Sequence, residues 1–289
     1  MVFLARLFKG RQDKEGASSA LGEGISGKVQ LYKNGSKCYV IKTYHSKEQY
    51  ESRAEYKARV LHEYHLLASL EHVNIIKAFS SEVSVDGLTV KMCMEVGSVD
   101  LKTLLQRNRG LSSGALFGLW KQVCLGVQYL HGRGICHRDL KLDNLVMDQG
   151  FSTVKIIDFV TATECSGPVV GVVGSARYMA PEMASKISYE GPKVDIWSLG
   201  VILYYFITRK FLWRQAVHSD AMFGEYIKRE GDVSGEIGEI GGVNGQITPE
   251  QAFLDFCPGL PSSWCACWSP NSFFGMILGR FTEIDILGR

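Results

Sequence analysis

The sequence contains no apolar run long enough to cross a membrane. Its longest run, residues 199–207, falls far short of the about 20 apolar residues that a spanning helix needs, and it predicts a buried helix instead. The start of the chain, MVFLARLFKG, carries mixed charges and too short an apolar core for a secretory signal. We therefore expect no membrane span and a cytoplasmic location.

A strong net charge is also missing. The 289 residues include 32 Lys and Arg against 30 Asp and Glu, for a net charge of +2, so nothing favours a nucleic acid or an anionic membrane as partner. The eight cysteines are scattered, and Cys265 and Cys267 lack the second pair that a zinc site requires. The hydrophobic fraction of 46% is that of an ordinary soluble globular protein. We expect reduced cysteines that mainly fill space.

The string CHRDLKLDN, residues 136–144, places three chemically useful side chains at fixed spacing. Asp139 can orient a hydroxyl group and accept its proton, and Lys141 can neutralise negative charge on a phosphate during transfer. The amide oxygen of Asn144 is a suitable ligand for Mg²⁺. Together these residues predict the transfer of a phosphoryl group.

A glycine pattern near the start of the chain fits phosphate binding. Gly22, Gly24 and Gly27 form GxGxxG, and backbone amides that carry no Cβ can approach phosphates closely. Alone the pattern is weak, because an ordinary turn in a chain with 31 glycines gives the same spacing. The pattern lies between two β-like runs, and Lys42 follows in the string YVIK at the end of the second. This lysine can reach phosphates if a carboxylate holds it in place.

Glu63 is the expected partner of Lys42. It lies between Val60 and Leu67 on the apolar stripe of a predicted helix, where an unpaired carboxylate is costly. We therefore expect an ion pair between Lys42 and Glu63 rather than two unrelated surface charges.

The order of these motifs resembles the protein-kinase superfamily, and Lys141 resembles its serine/threonine branch. A narrower resemblance is to the fungal kinases that regulate nutrient permeases and ion transporters, the nitrogen-permease-reactivator and halotolerance group. It is carried by the strings SRAEYKARVLHEYHLLASLEHVNII and RKFLWRQAVHSDAMF and covers residues 20–228. The resemblance implies a protein serine/threonine kinase that uses ATP and Mg²⁺.

The string KIIDFV, residues 155–160, contains one expected site residue and one departure from the family pattern. The resemblance makes Asp158 the main Mg²⁺ ligand, together with Asn144. Val160 stands where kinases carry a glycine, and its β-branched side chain stiffens the backbone there. If Val160 strains this segment, it hinders the active shape, so two interpretations stay open, an active kinase and a catalytically impaired pseudokinase scaffold.

The resemblance also implies an ATP site in the first part of the chain. It places the adenine base against Glu95 and Gly97, with Met94 as gatekeeper and Val29 beside the glycine loop. Arg138, next to Asp139, indicates control by a phosphate on the activation segment. The candidate acceptors for that phosphate are Thr161, Thr163 and Ser166.

Two further strings resemble the substrate-side motifs of protein kinases and imply a protein substrate. They are GSARYMAPE, residues 174–182, and DIWSLG, residues 195–200. By resemblance, Ser175 hydrogen-bonds Asp139 and Lys141. Asp100 and Asp143 stand where basic-directed kinases carry acidic residues, so we expect a preference for arginine or lysine N-terminal to the acceptor.

Three more residues receive structural roles from the resemblance. Asp195 caps the backbone of the catalytic loop from a buried helix, and Glu182 pairs with a distant arginine. Arg289, in the terminal string FTEIDILGR, is the expected partner of Glu182. Residues 229–275 match the kinase pattern poorly, and the six glycines within residues 231–245 predict an exposed insertion before an early C-terminal end.

The expected fold is α+β, a two-lobed protein-kinase-like fold with a small β-rich N-lobe and a larger helical C-lobe. We expect an N-terminal extension over residues 1–16, the N-lobe over 17–96 and the C-lobe over 97–289. Apolar residues at helical spacing between residues 116 and 130 predict a long core helix, with Ser112 or Ser113 as its N-cap.

Overall fold

The computed structural model describes residues 19–23, 26–34 and 37–225. The chain divides into two compact units. The first contains the described residues up to Leu101 together with Asn144–Ala162, and the second contains Lys102–Asp143 and the described residues from Thr163 onward. Among the expected features, Gly24, Arg289 and the glycine-rich stretch 231–245 lie outside the described residues.

The first unit is built on a five-stranded antiparallel sheet with the strand order β1-β2-β3-β5-β4. Its strands are β1 (Ser19–Glu23), β2 (Gly27–Asn34), β3 (Lys37–Tyr44), β4 (Ala78–Val83) and β5 (Val90–Met94). The central strand β3 is rich in β-branched and aromatic residues, which fit a pleated, half-buried surface. Lys42 pairs with Val29 of β2 and with Met92 of β5. Directly opposed residues share a face of the sheet, so these three side chains point to one side.

Helix α1 (Arg53–Ala68) packs against β4 and β5 of this sheet. It begins with a capping box, in which Ser52 Oγ accepts from the Glu55 backbone N–H at 3.2 Å and the Glu55 carboxylate accepts from the Ser52 backbone N–H at 2.8 Å. Its buried face contains four apolar or aromatic residues and one acid, namely Tyr56, Val60, Glu63, Leu66 and Leu67. The carboxylate is thus carried on the core face of the helix, as the sequence predicts.

A small antiparallel pair completes the first unit. Strand β7 (Leu145–Met147) pairs with β8 (Val154–Ile156), and Leu145 lies opposite Ile156. The pair brings Asn144, just before β7, and Asp158, two residues beyond β8, to the same end of the ladder.

The second unit is largely helical. Its helices are α2 (Leu101–Arg107), which begins at the boundary, α3 (Ser113–Gly132), α4 (Pro181–Ser185) and α5 (Gly191–Thr208). The predicted core helix is confirmed as α3, and Ser112 is its N-cap, accepting from the Ala115 backbone N–H at 3.2 Å. Helices α3 and α5 pack together, and the Trp120 indole donates to the Leu199 carbonyl at 3.2 Å.

Helix α5 contains the apolar run 199–207 and is largely buried, as predicted. Within the described part of the chain, none of the helices is both long and apolar enough to cross a membrane. Two short strand pairs accompany the helices of the second unit. They are β6 (Ile135–Cys136) with β9 (Thr163–Glu164), and β10 (Val169–Val170) with β11 (Ser188–Tyr189).

Candidate active site

The first unit contains an ion pair between Lys42 on β3 and Glu63 on α1. Lys42 Nζ lies 3.0 Å from Glu63 Oε1 and 2.8 Å from Oε2, and the two residues are only 6% and 2% exposed. Burial alone lowers the pKa of the Lys42 ammonium, but the charges of Glu63 and Asp158, together with the hydrogen bonds to both, outweigh burial and raise that pKa above its usual value. Lys42 therefore remains a cation in a buried position, and the predicted contact is present.

Asp158 belongs to the same cluster. Lys42 Nζ donates to Asp158 Oδ1 at 3.2 Å, and the Asp158 side chain is about a third exposed. At the same end of the β7–β8 ladder, the Ile157 backbone N–H donates to the Asn144 carbonyl at 3.0 Å. A carboxylate and a side-chain amide oxygen are hard-oxygen donors of the kind that Mg²⁺ binds, and the role of these two residues as metal ligands stays a prediction.

The sheet places two of the expected nucleotide-binding residues on the face that carries Lys42. Val29 lies opposite Lys42, and Met94 lies opposite Val40, two residues before Lys42. Gly27 is required by strand pairing, because a Cβ at this position would clash with the backbone of Thr43.

The segment after β5 contains Glu95 and Gly97, and both residues pack closely against neighbouring side chains or backbone. Glu95 forms an ion pair with Lys155 at 2.9 Å, and its carboxylate also accepts from the Lys77 backbone N–H. A Cβ at Gly97 would meet the side chain of Val146. Glycine at this position therefore has a packing reason, and its role in holding adenine stays a prediction. Gly22 lies in β1, and a Cβ there would meet no atom of the described residues within 4 Å.

The second unit contains a separate polar cluster around the catalytic-loop string. Lys141 Nζ donates to Asp139 Oδ2 at 2.6 Å and to Ser175 Oγ at 3.0 Å. The Asp139 and Lys141 side chains are only 11% and 20% exposed, so their attraction is weakly screened by water. Lys141 thus holds the carboxylate of Asp139, the expected base. The contact expected between Ser175 and Asp139 stays a prediction.

Asp195 on α5 holds the backbone of this loop. Its two carboxylate oxygens accept from the backbone N–H groups of His137 at 2.8 Å and of Arg138 at 2.7 Å. His131 Nε2 lies 2.9 Å from the same carboxylate, which is fully buried. The Arg138 backbone has a φ of 64°, and the two hydrogen bonds offset the cost of that left-handed conformation.

The expected regulatory residues have defined positions. The Arg138 guanidinium donates to the Val170 carbonyl at 2.8 Å. Ser166 is exposed, whereas Thr161 and Thr163 are half-buried. Glu182 lies in the first turn of α4. Because its predicted partner lies outside the described residues, the pairing of Glu182 with Arg289 stays a prediction.

Comparison with known proteins decides the family. A family model described as protein kinase domain matches residues 17–237. The chain belongs to the protein kinase family. The β-rich first unit and the helical second unit are accordingly the two-lobed kinase fold that the sequence predicts.

This kinase domain is similar to curated relatives, among them proteins named serine/threonine-protein kinases. It is 35% identical over 214 residues to the nitrogen permease reactivator protein of Saccharomyces cerevisiae, covering 72% of this chain and 27% of that protein. It is 32% identical over 220 residues to serine/threonine-protein kinase PRR2 of the same yeast, covering 73% and 31%. It is also 32% identical over 221 residues to serine/threonine-protein kinase hal4 of Schizosaccharomyces pombe, covering 73% and 34%. The chain therefore spans about a quarter to a third of the length of these relatives.

Sequence reasoning missed Tyr44 in this kinase domain. Its hydroxyl donates to Glu63 Oε2 at 2.6 Å, and the backbone N–H of Phe159 donates to Glu63 Oε1 at 3.2 Å. The available signal was the spacing YVIKTY, since residues two apart on a strand face the same side.

Val160 has no positive φ in this structure, so the strain that a β-branched residue meets in that conformation is absent here. Within the described ranges, the non-glycine residues with positive φ are Arg138, Phe151, Asp158 and Arg209. The left-handed residue among residues 158–160 is therefore Asp158, with a φ of 64°, and aspartate tolerates this conformation better than most residues. Val160 has no positive φ to accommodate, and its side chain is 41% exposed.

Proposed function

We propose that the chain is a catalytically active serine/threonine kinase domain that transfers the γ-phosphoryl group of Mg-ATP to a hydroxyl of a protein substrate. The observation that carries this proposal is the position of Lys42, whose ammonium group bonds both Glu63 and Asp158. This cluster combines a held cation for ATP phosphates with a carboxylate that suits a metal ion. Membership of the kinase family supports ATP as the donor.

The residues of the first unit would bind and orient the nucleotide. Lys42, held by Glu63, would contact the phosphates, and the backbone of the glycine loop, with Gly22, Gly24 and Gly27, would cover them. Asp158 and Asn144 would hold Mg²⁺, which neutralises phosphate charge when bound.

The residues of the second unit would act on the acceptor. Asp139 would orient the substrate hydroxyl and accept its proton, and Lys141 would offset the charge that develops during transfer. Lys141 already holds the Asp139 carboxylate at 2.6 Å, so the base is oriented by the protein itself.

The alternative is a pseudokinase scaffold that acts through partner contacts. Val160 is one of its two supports in the sequence, and the absence of positive φ at Val160 argues against backbone strain as the cause of such impairment. The other support, the poor match of residues 229–275, lies outside the described residues. We therefore treat the scaffold as an outcome of the test.

We further propose that the domain works in the cytoplasm and regulates nutrient or ion transport. The support is its similarity to a nitrogen permease reactivator protein and the resemblance of its motifs to the halotolerance group. We also propose residues 17–96 as its N-lobe and residues 97–289 as its C-lobe, a division that assigns residues 144–162 of the first unit to the C-lobe.

The test is transfer of ³²P from labelled ATP by the purified chain to a mixture of serine- and threonine-containing peptides. We expect incorporation that requires Mg²⁺ and that is lost in Lys42→Ala but retained in Lys91→Ala, a change at an exposed lysine of β5. Mg-ATP binding without any transfer would establish the scaffold instead. Absence of both binding and transfer would overturn the proposal and its nucleotide site together.

A further inference from the structure

Tyr44 contacts both members of the Lys42–Glu63 pair. Its hydroxyl donates to Glu63 Oε2 at 2.6 Å, and Lys42 Nζ lies 5.1 Å from the centre of its ring. Tyr44 and Lys42 are two residues apart on β3, so both side chains point to the side of the sheet that α1 covers. Tyr44 is itself only 5% exposed.

The Glu63 carboxylate depends on these contacts because it is almost fully buried. A buried carboxylate is stable only when donors replace the water it has lost. Glu63 Oε1 accepts from Lys42 and from the Phe159 backbone N–H, and Oε2 accepts from Lys42 and from Tyr44. Without Tyr44, Lys42 would be the only one of these three donors that bonds Oε2.

The Tyr44 hydroxyl remains a proton donor across the range of pH in which proteins work. Burial first, and the negative charge of Glu63 second, raise the pKa of this phenol far above its ordinary value. A neutral donor beside a carboxylate makes a charge-assisted hydrogen bond, which is about twice as strong as one between neutral groups. The other acceptor near the hydroxyl, Met92 Sδ at 3.9 Å, is a weak one.

We propose that Tyr44 is a positioning residue of the kinase site, which holds Glu63 of α1 against Lys42 and so favours the arrangement that can bind ATP phosphates. This inference rests on the proposed function and adds a residue to it. Any movement of α1 that withdraws Glu63 must break the bond to Tyr44 as well as the ion pair. Tyr44 therefore shifts the equilibrium of the helix toward the paired arrangement.

The first experiment measures local opening of α1 by hydrogen exchange in the purified chain, with no need for activity. Tyr44→Phe keeps the ring and removes the hydroxyl. We expect exchange across residues 53–68 to become about tenfold faster, since the loss of a hydrogen bond to a charged group changes an opening equilibrium by that order. The matched control is Tyr39→Phe, which removes a hydroxyl from the same strand five residues away. Unchanged exchange in Tyr44→Phe, or an equal change in Tyr39→Phe, would overturn the inference.

The second experiment is a double-mutant cycle on kcat/KM for Mg-ATP, in which Mg-ATP affinity and kcat are also measured separately. We expect Tyr44→Phe to lower kcat/KM by about ten- to a hundredfold in the wild-type background and to have little further effect once Glu63 is changed to Ala. A tyrosine that only packs would give independent effects, so additive losses would contradict a role that acts through Glu63. If wild type transfers no phosphate, the proposed function fails, while hydrogen exchange still decides the role of Tyr44. If Glu63→Ala fails to fold, hydrogen exchange likewise decides the role of Tyr44.

Discussion

Lys102 Nζ lies 2.8 Å from Asp143 Oδ1, and the two side chains are 41% and 45% exposed. Asp143 is one of the two acids that predict a preference for basic residues in the substrate. In this structure its charge is already partly neutralised by a lysine of its own unit. An exposed pair of this kind is worth at most about 1 kcal/mol, so a substrate cation can compete for the carboxylate.

We therefore predict that Lys102→Ala strengthens the selection of basic peptides. The change frees Asp143, and the preference for peptides with arginine N-terminal to the acceptor over acidic peptides should rise about two- to fivefold at low salt. A peptide array read at low and high ionic strength checks this, because screening should reduce the gain. Equal selectivity of wild type and Lys102→Ala at both salt concentrations would show that Asp143 does not face the substrate.

Arg209 ends α5 in a left-handed conformation, with φ at 58° and ψ at 19°. This position usually carries glycine, because a side chain there costs about 1–2 kcal/mol. Burial also lowers the pKa of the Arg209 guanidinium, whose Nη1 atom is buried without a hydrogen-bond partner in the described part of the chain. We predict that Arg209→Gly raises the free energy of unfolding by about 1 kcal/mol.

The control is Arg209→Ala, which removes the guanidinium but keeps the backbone strain. Denaturant unfolding of the three proteins separates the two causes. If the left-handed conformation costs stability, Arg209→Gly should be more stable than Arg209→Ala. If Arg209→Ala is at least as stable as Arg209→Gly, the whole effect comes from the removal of the buried charge.

Val160 gives a third prediction, which follows from the backbone angles rather than from the family pattern. Since the positive φ belongs to Asp158, glycine at position 160 relieves no strain. Val160→Gly should leave kcat unchanged and lower stability by about 0.4–1 kcal/mol, because glycine gives the unfolded chain more freedom. Steady-state kinetics and thermal unfolding check both parts, with Val160→Ala as the matched control. A severalfold rise in kcat for glycine, but not for alanine, would restore the idea of a strained segment.

Some of this site follows from the sequence through simple physical rules. A carboxylate on the apolar stripe of a helix needs a buried cation, and Lys42 was the lysine on a strand near it. The same kind of reasoning predicted α3 and its cap at Ser112, since periodicity and a capping serine act locally. Each of these features depends on few residues.

Other features depend on distances that a sequence does not contain. Strand alternation puts Tyr44 on the correct face, but its bond to Glu63 depends on how closely α1 approaches β3. Lys102 and Asp143 are separated by 41 residues, and nothing local joins them. The positive φ of Asp158 is likewise not marked by the sequence, because the family pattern draws attention to position 160, where kinases carry a glycine.

The most direct test of the account compares phosphoryl transfer by wild type, Asp139→Asn and Asp86→Asn in one assay that also measures Mg-ATP binding. Asp139→Asn keeps the shape of the side chain but removes its basicity, so binding should persist while kcat falls by about two to four orders of magnitude. Asp86 lies in an exposed turn between β4 and β5, and its change should leave both quantities near wild type. Retained binding with lost transfer in Asp139→Asn alone is the result that we predict. Equal transfer by wild type and Asp139→Asn, or binding without transfer in all three proteins, would contradict an active kinase with Asp139 as its base.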